Sequence, residues 1–196
     1  LLKAFRQDVT KSRYETWEEL LDYCRYSAMP VGRFVLDVHG ESRATWAHSD
    51  ALCAALQIIN HLQDCAKDYR NIDRFYIPAN DLSAHGARVE ELGNDNASPK
   101  LLACLHALAS RTETLMPDAA LLPASVTDLR LAAETSVIVE VARKLIELLK
   151  SRDPLSGRVH LSKAHAALLA SRAAAGTLVN RTFGRLAFLK STGMMP

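Results

Sequence analysis

The segment LQIINHLQDCAKDYRNIDRFYIP, Leu56 to Pro78, begins as an apolar helix and yet carries a row of amides and carboxylates. Gln57, Asn60, Asp64 and Asp68 follow one another at intervals of three or four residues. At about 100° per residue, these side chains fall within an arc of about 80° on one helical face. Because unpaired buried carboxylates are costly, we expect the row to face cations, water or a polar cavity.

The chemistry of the row suggests a purpose for this spacing. Two carboxylates at positions i and i+4, Asp64 and Asp68, project from one face about a turn apart. Oxygen ligands suit Mg²⁺, which keeps several waters and bridges to substrate phosphates. Arg70 and Arg74 follow, and guanidinium groups match phosphate oxygens. The row is therefore a candidate clamp for a diphosphate group, although the spacing alone leaves a solvated acidic face equally open.

Composition excludes several classes of protein. The chain has 196 residues, 48% of them hydrophobic, and its 24 basic and 22 acidic residues nearly cancel. This balance argues against nucleic-acid binding, and the absence of an apolar run of about 18 residues argues against a membrane span. Peripheral membrane contact is left open. The sequence contains neither a glycine-rich phosphate loop nor paired zinc ligands, and His61 is expected to be a packed or solvent-edge histidine.

The four cysteines predict the redox state of the compartment. Cys24, Cys53, Cys65 and Cys104 lie in helical, Ala- and Leu-rich surroundings and form no C-x-x-C pair. Such cysteines are typical of buried free thiols. We therefore predict a cytoplasmic protein, since disulfides are rare in a reducing cytoplasm.

Apolar periodicity predicts an all-α protein with no strand. Thr16 and Glu19 have the spacing of a capping box, Pro30 is expected to kink or break the helix that follows, and Gly40 is expected to end it. Residues 71–98 are expected to be mostly loop with one short helical piece. Six helical segments are predicted, at residues 1–10, 16–40, 42–69, 99–116, 126–152 and 162–180.

Four motifs in order along the chain carry a resemblance. NHLQDCAKDYR (60–70) resembles the second aspartate-rich motif of the squalene/phytoene synthase family, and DRFYIP (73–78) resembles the Arg-x-Tyr-x-Pro element that follows it. LLKAFRQDVTKSRYETWEELLDYCRYSAMPVG (1–32) resembles the preceding helix pair. GRVHLSKAHAALLA (157–170) is similar to the family's C-terminal Val-x-Leu/Val-Ser-Lys segment.

The resemblance implies an all-α bundle of the class I isoprenoid synthase type. In this family, Mg²⁺ ions held by two aspartate-rich motifs ionise a prenyl diphosphate, and an apolar tunnel between helices shields the carbocation. At the matched positions, Asn60, Asp64 and Asp68 are implied metal ligands, and Gln57 is their polar partner.

Further residues are implied to act on the substrate. Arg74 and Tyr76 would assist the departing diphosphate, and Tyr26 would lie by the carbocation. The predicted substrate-binding residues are Gln57, Arg70, Arg74 and Tyr76.

The chain departs from the family pattern at two places. The family's first aspartate-rich motif lies upstream of the segment that resembles residues 1–8, so half of the metal clamp is outside this chain. Because the chain also begins inside an uncapped amphipathic pattern, we expect residues 1–196 to form one isoprenoid synthase domain that lacks its N-terminal helices. Residues 28–32 read AMPVG where condensing members have Ala-Gly-x-Val-Gly, and Gln63 replaces a common basic residue.

These departures resemble the bacterial hopanoid-pathway branch of the family. That branch converts presqualene diphosphate and water to hydroxysqualene and needs no nicotinamide cofactor. Two alternatives stay open, namely a head-to-head prenyl transferase that makes presqualene diphosphate or phytoene, and a non-catalytic assembly protein related to phytoene synthases. A further alternative is a helical bundle with an exposed acidic face, in which case the matches to the other family motifs would be coincidental.

Overall fold

A computed structural model describes the backbone of residues 1–191 and the side chains of residues 1–179 and 181. These residues form helices joined by turns, with no strand among them, so the predicted all-α class is confirmed for this part of the chain. The α-helices are α1 Leu2–Thr10, α2 Trp17–Ser27, α3 Met29–Val38, α4 Trp46–Gln63, α5 Cys65–Ile72, α6 Ala79–Ala84, α7 Pro99–Glu113, α8 Met116–Ala119, α9 Leu122–Ser125, α10 Leu129–Leu149 and α11 Lys163–Ser191.

Local signals account for the start of α2 and for both ends of α3. The Thr16 hydroxyl accepts a hydrogen bond from the Glu19 N–H at 3.2 Å, so the predicted cap is present. The Glu19 carboxylate reaches back to the N–H of Glu15 instead of that of Thr16. Pro30 lies in the first turn of α3, where a missing N–H is tolerated, and the predicted break there is confirmed. Gly40 follows α3 with a φ of 69°.

The predicted single helix over residues 42–69 is wrong. A 3-10 helix, Arg43–Thr45, leads into α4, and a bend at Asp64 separates α4 from α5. The Asp64 N–H still donates to the Asn60 carbonyl at 2.9 Å, so the chain bends without losing that hydrogen bond. The two halves pack on different neighbours, because α4 contacts α3, α7, α8 and α10, whereas α5 contacts a second 3-10 helix, Val89–Gly93.

The predicted number of helical segments is too low, because the predicted segments 16–40 and 42–69 each contain two α-helices, and α8 and α9 lie almost entirely where no helix was predicted. Helices α8 and α9 each carry a proline in the first turn, which starts a new helix. The short helix expected within residues 71–98 is α6, and α7 begins at Pro99 as predicted. Helix α11 runs to Ser191 and is longer than predicted.

The core centres on α4. Its inward side chains Ile58, Ile59 and Leu62 are almost fully buried against the surrounding helices. Each contributes about 1.5–3 kcal/mol relative to an exposed position. The four cysteines are free thiols, of which Cys24, Cys65 and Cys104 are buried as predicted and Cys53 is only partly buried. Within residues 1–191, no helix is long and apolar enough to cross a membrane.

Gly32 lets α3 approach α4 closely, and Gly32→Ala should therefore be destabilising. A Cβ at this position would lie 2.6 Å from Cys53 Sγ and closer still to Ser49 Oγ. We expect a loss of about 1–3 kcal/mol in the free energy of unfolding, because both side chains are short and belong to a packed helix. Urea unfolding would measure the loss, with Gly157→Ala as the control because no atom lies within 4 Å of the added Cβ. Equal stability of the two variants would contradict the close approach.

Candidate active site

The polar row runs along α4 and α5 on a partly accessible face. Gln57 and Asn60 lie on α4, Asp64 lies at the bend, and Asp68 lies on α5. Asn60 is exposed and the other three side chains are partly buried. None of the four is fully buried, which agrees with the expectation that the row faces water, cations or a polar cavity.

The two aspartates form an electrostatically unbalanced pair. Burial raises the pKa of Asp68, and the negative charge of Asp64 raises it further. Lys67 and Arg74 lower the pKa of Asp68, but they offset only part of this effect. The Lys67 ammonium lies 3.9 Å from an Asp64 oxygen and is largely exposed, so this ion pair is weak. The pair therefore presents negative charge that nearby cations leave partly unneutralised.

The donor set fits a hard divalent cation held on one side. Asn60, Asp64 and Asp68 offer only oxygen ligands on this face, as Mg²⁺ requires. Among the described side chains, no group of three or more His, Cys, Asp or Glu residues is arranged to hold a metal ion by itself. Two carboxylates and an amide match a cation that takes its other ligands from water and phosphate.

Arg74 lies beside the row because the chain reverses immediately after α5. Asp73 has φ and ψ of 48° and 44°, a left-handed conformation that ends the helix and that aspartate tolerates. The Arg74 N–H donates to the Asp68 carbonyl at 3.3 Å. The guanidinium donates to the carbonyl of Asp8, and its Nη1 lies 3.8 Å from the Asp8 carboxylate. Arg74 Nε is buried without a hydrogen-bond partner in the described structure.

Tyr76 belongs to a buried aromatic cluster. Its ring stacks on His61 with centroids 3.4 Å apart and lies 5.4 Å from both Tyr14 and Tyr23. Burial raises the pKa of all three phenols. Burial also lowers the pKa of His61 to about 3, and the charge of Arg74 acts in the same direction. The four rings are therefore neutral at physiological pH, and the expectation of a packed His61 is confirmed.

The cluster reaches both the polar row and α1. Gln57 hydrogen-bonds His61 at 3.1 Å, so this predicted partner of the metal ligands joins the row to the rings. The Tyr23 hydroxyl donates to the Asp8 carboxylate at 3.2 Å. His61, Tyr14, Tyr23 and Asp8 are not among the predicted site residues, although all four lie within the motifs of residues 1–32 and 60–70.

The structure gives the other two predicted residues separate surroundings. The Arg70 guanidinium donates to the carbonyls of Gly93 and Asn94, so its contact with phosphate stays a prediction. Tyr26 lies on α2, partly buried, with the Lys3 ammonium 3.6 Å from its ring centroid. In this contact a cation lies over the face of the Tyr26 ring.

Helices α1 and α3 present apolar faces that the described residues leave uncovered. Leu2, Phe5 and Val9 are exposed on α1, and Phe34 and Val38 are exposed on α3. Walls of this kind are what a hydrocarbon tunnel requires, but the tunnel implied by the resemblance stays a prediction.

Residues 1–165 match the model of the squalene/phytoene synthase family. The chain is similar to the hydroxysqualene synthase of Sinorhizobium fredii, with 55% identity over 192 residues covering 98% of this chain and 66% of the relative. It is also 55% identical to that of Rhodopseudomonas palustris over 94% of this chain and 63% of the relative. It therefore spans just under two thirds of the length of each of these curated relatives.

A solved structure gives the same assignment. A squalene synthase from Alicyclobacillus acidocaldarius superposes with a TM-score of 0.69 at 35% identity, covering 74% of this chain and 55% of that one. The resemblance drawn from the four motifs is confirmed. Since the family match extends from Leu1 through the polar row to the start of α11, the chain belongs to the squalene/phytoene synthase family.

Proposed function

We propose that the protein converts presqualene diphosphate and water to hydroxysqualene and diphosphate in a Mg²⁺-dependent reaction. The observation that carries the proposal is the incompletely neutralised row of Asn60, Asp64 and Asp68 beside Arg74 and Tyr76. The 55% identity to two hydroxysqualene synthases supports this choice of reaction within the family.

The row would hold the metal through the oxygens of Asn60, Asp64 and Asp68. Bound Mg²⁺ would supply positive charge to neutralise the departing diphosphate. The weak pairing of Asp64 with exposed Lys67 leaves its carboxylate available, and the charge repulsion between Asp64 and Asp68 would be relieved when a cation binds.

Arg74 and Tyr76 would hold the leaving group. The C–O bond to diphosphate breaks with its electron pair going to the leaving oxygen, so fixed hydrogen-bond donors there stabilise the developing charge. Arg74 has an unpartnered buried Nε, and its guanidinium is fixed by Asp8. Because its phenol stays protonated, Tyr76 can donate a hydrogen bond.

The carbocation requires an apolar surrounding and one water molecule. The ring face of Tyr26 would stabilise positive charge, as it already does for Lys3. Apolar side chains on α1 and α3 would exclude other water. Capture of the rearranged cation by water forms the new C–O bond and releases a proton, so the reaction balances without a reductant.

One observation favours a second candidate, head-to-head condensation of two prenyl diphosphates. The likeness to a squalene synthase structure covers 74% of the chain at 35% identity. The two reactions share the ionisation of a diphosphate and differ in whether carbon or water captures the cation.

The deciding experiment incubates the full-length protein with presqualene diphosphate and Mg²⁺, without reductant, followed by extraction and mass spectrometry. We expect hydroxysqualene that disappears when a chelator is added. A parallel incubation with farnesyl diphosphate tests condensation, and turnover there without hydroxysqualene formation would move the protein to the condensing branch. No product from either substrate would favour a non-catalytic assembly protein.

A further inference from the structure

His61 is a buried imidazole on α4, directly after Asn60 and about one turn beyond Gln57. The residue is 4% exposed. Burial lowers its pKa to about 3, and the charge of Arg74 acts in the same direction, so the ring is neutral at physiological pH. A neutral imidazole has one donor and one acceptor nitrogen, so it can hold a neighbouring amide in one orientation.

The neighbouring amide is that of Gln57. Its Nε2 atom lies 3.1 Å from His61 Nε2. Two nitrogens at this distance form a hydrogen bond when the amide donates and the ring accepts, which places the ring proton on Nδ1. The bond therefore engages the nitrogen end of the amide and turns its oxygen away from the ring. Asn60, three residues further along α4, shares the face on which Gln57 lies.

Aromatic neighbours fix the imidazole in turn. Tyr76 stacks on it with 16° between the ring planes, and Tyr23 packs against it with centroids 6.1 Å apart. Both tyrosines are themselves buried. An imidazole packed in this way has little freedom to rotate, so the orientation of the Gln57 amide follows that of the ring.

We propose that His61 is a positioning residue, which orients the Gln57 amide so that its oxygen faces the cation bound by the polar row. Mg²⁺ keeps several waters, and an amide oxygen accepts hydrogen bonds from them. An amide in the opposite orientation would direct its N–H groups, and their partial positive charge, at the cation. This role rests on the proposed function, because it requires that Asn60, Asp64 and Asp68 hold the metal.

His61→Phe tests the proposal, since it removes both ring nitrogens and keeps a flat ring against Tyr76. Calorimetric titration of the full-length protein with Mg²⁺ should show about tenfold weaker metal binding. The melting temperature should stay constant or rise, because an apolar ring suits a buried position. A histidine that only fills space would give the opposite pattern, with altered stability and unchanged Mg²⁺ affinity, and that pattern would overturn the proposal. His61→Gln, whose amide can reach the place of Nε2, should bind Mg²⁺ more tightly than His61→Phe.

A double variant identifies the residue through which His61 acts. In the Gln57→Leu background, His61→Phe should change the Mg²⁺ affinity by less than about twofold, because the amide that it orients is already absent. A full, independent loss in that background would overturn action through Gln57. His106→Phe is the matched control, since His106 is a partly buried histidine on α7 whose Nε2 lies 3.3 Å from the Arg152 carbonyl oxygen. It should leave the Mg²⁺ affinity unchanged.

NMR of protein labelled with ¹⁵N-histidine tests the orientation independently of metal binding and activity. The His61 signals are those missing from His61→Phe, and they should show a protonated Nδ1 and an Nε2 without a proton. A proton on Nε2 would overturn the role of His61 alone, even if the protein makes hydroxysqualene. Wild-type protein that binds no Mg²⁺ would instead refute the proposed function together with this role.

Discussion

Asp64→Asn is expected to lower turnover about a thousandfold or more while leaving the fold intact. The substitution keeps the shape of the side chain and removes one of the two carboxylates of the polar row. It also removes the charge that raises the pKa of Asp68, so the melting temperature should stay constant or rise slightly. Loss of the exposed pair with Lys67 costs little.

Three measurements separate a metal ligand from a structural carboxylate. Steady-state turnover, Mg²⁺ titration by calorimetry and thermal unfolding should show lost activity, weakened metal binding and unchanged stability. Asp118→Asn is the matched control, since Asp118 is an exposed aspartate on α8 that does not belong to the row. Full activity of Asp64→Asn would contradict the assignment of Asp64 as a metal ligand. Equal losses of activity in Asp64→Asn and Asp118→Asn would point to a nonspecific effect.

Glu41→Ala is expected to lower the free energy of unfolding by about 3 kcal/mol, although Glu41 lies outside the candidate site. The residue is 6% exposed and follows the turn after α3. Its carboxylate accepts hydrogen bonds from the Thr127 N–H at 2.8–2.9 Å, the Thr127 hydroxyl at 3.0 Å and the Asp128 N–H at 2.7 Å. Truncation would leave these donors at the start of α10 without this acceptor. For a chain of this size, the melting temperature should fall by about 6–12 °C.

The contribution of Glu41 should depend on pH in a definite direction. Burial acts to raise the pKa of Glu41, but the hydrogen bonds from Asp128 and Thr127 outweigh it, and the net pKa lies below the usual 4.5. A carboxyl group with a depressed pKa stabilises the fold fully above its unfolded-state pKa and loses that effect as the pH falls through the folded-state value. The stability difference between wild type and Glu41→Ala should therefore be largest above pH 4.5 and shrink below it.

Chemical denaturation across this pH range is the appropriate measurement. Glu90→Ala, at an exposed glutamate in the second 3-10 helix, should change stability by less than about 0.5 kcal/mol. Glu41→Gln should lie between wild type and Glu41→Ala, because one amide oxygen still accepts hydrogen bonds. A Glu41→Ala variant as stable as wild type would show that the described hydrogen bonds contribute little.

Much of the helical framework was predictable because its signals are local. Each of these signals acts within one or two turns of helix. Examples are the capping hydroxyl of Thr16, the proline at position 30 and the apolar spacing around Ile58. The polar row was visible for the same reason, since residues three or four apart share a helical face. The family resemblance extended this reading to Arg74 and Tyr76, which follow α5 directly.

The remaining features depend on residues far apart in sequence, and only the tertiary structure reveals them. Asp8 meets Arg74 across 66 residues, and Glu41 meets Thr127 across 86. Such pairs leave no periodic signal in the sequence, because the residues between the two partners do not indicate that the partners are close in the folded protein. The bend at Asp64 has the same origin, since neither proline nor glycine lies there and α4 and α5 pack on different helices. The sequence by itself determined the helices, the carboxylate row and the family, whereas long-range packing decided which groups surround the row and where its helix bends.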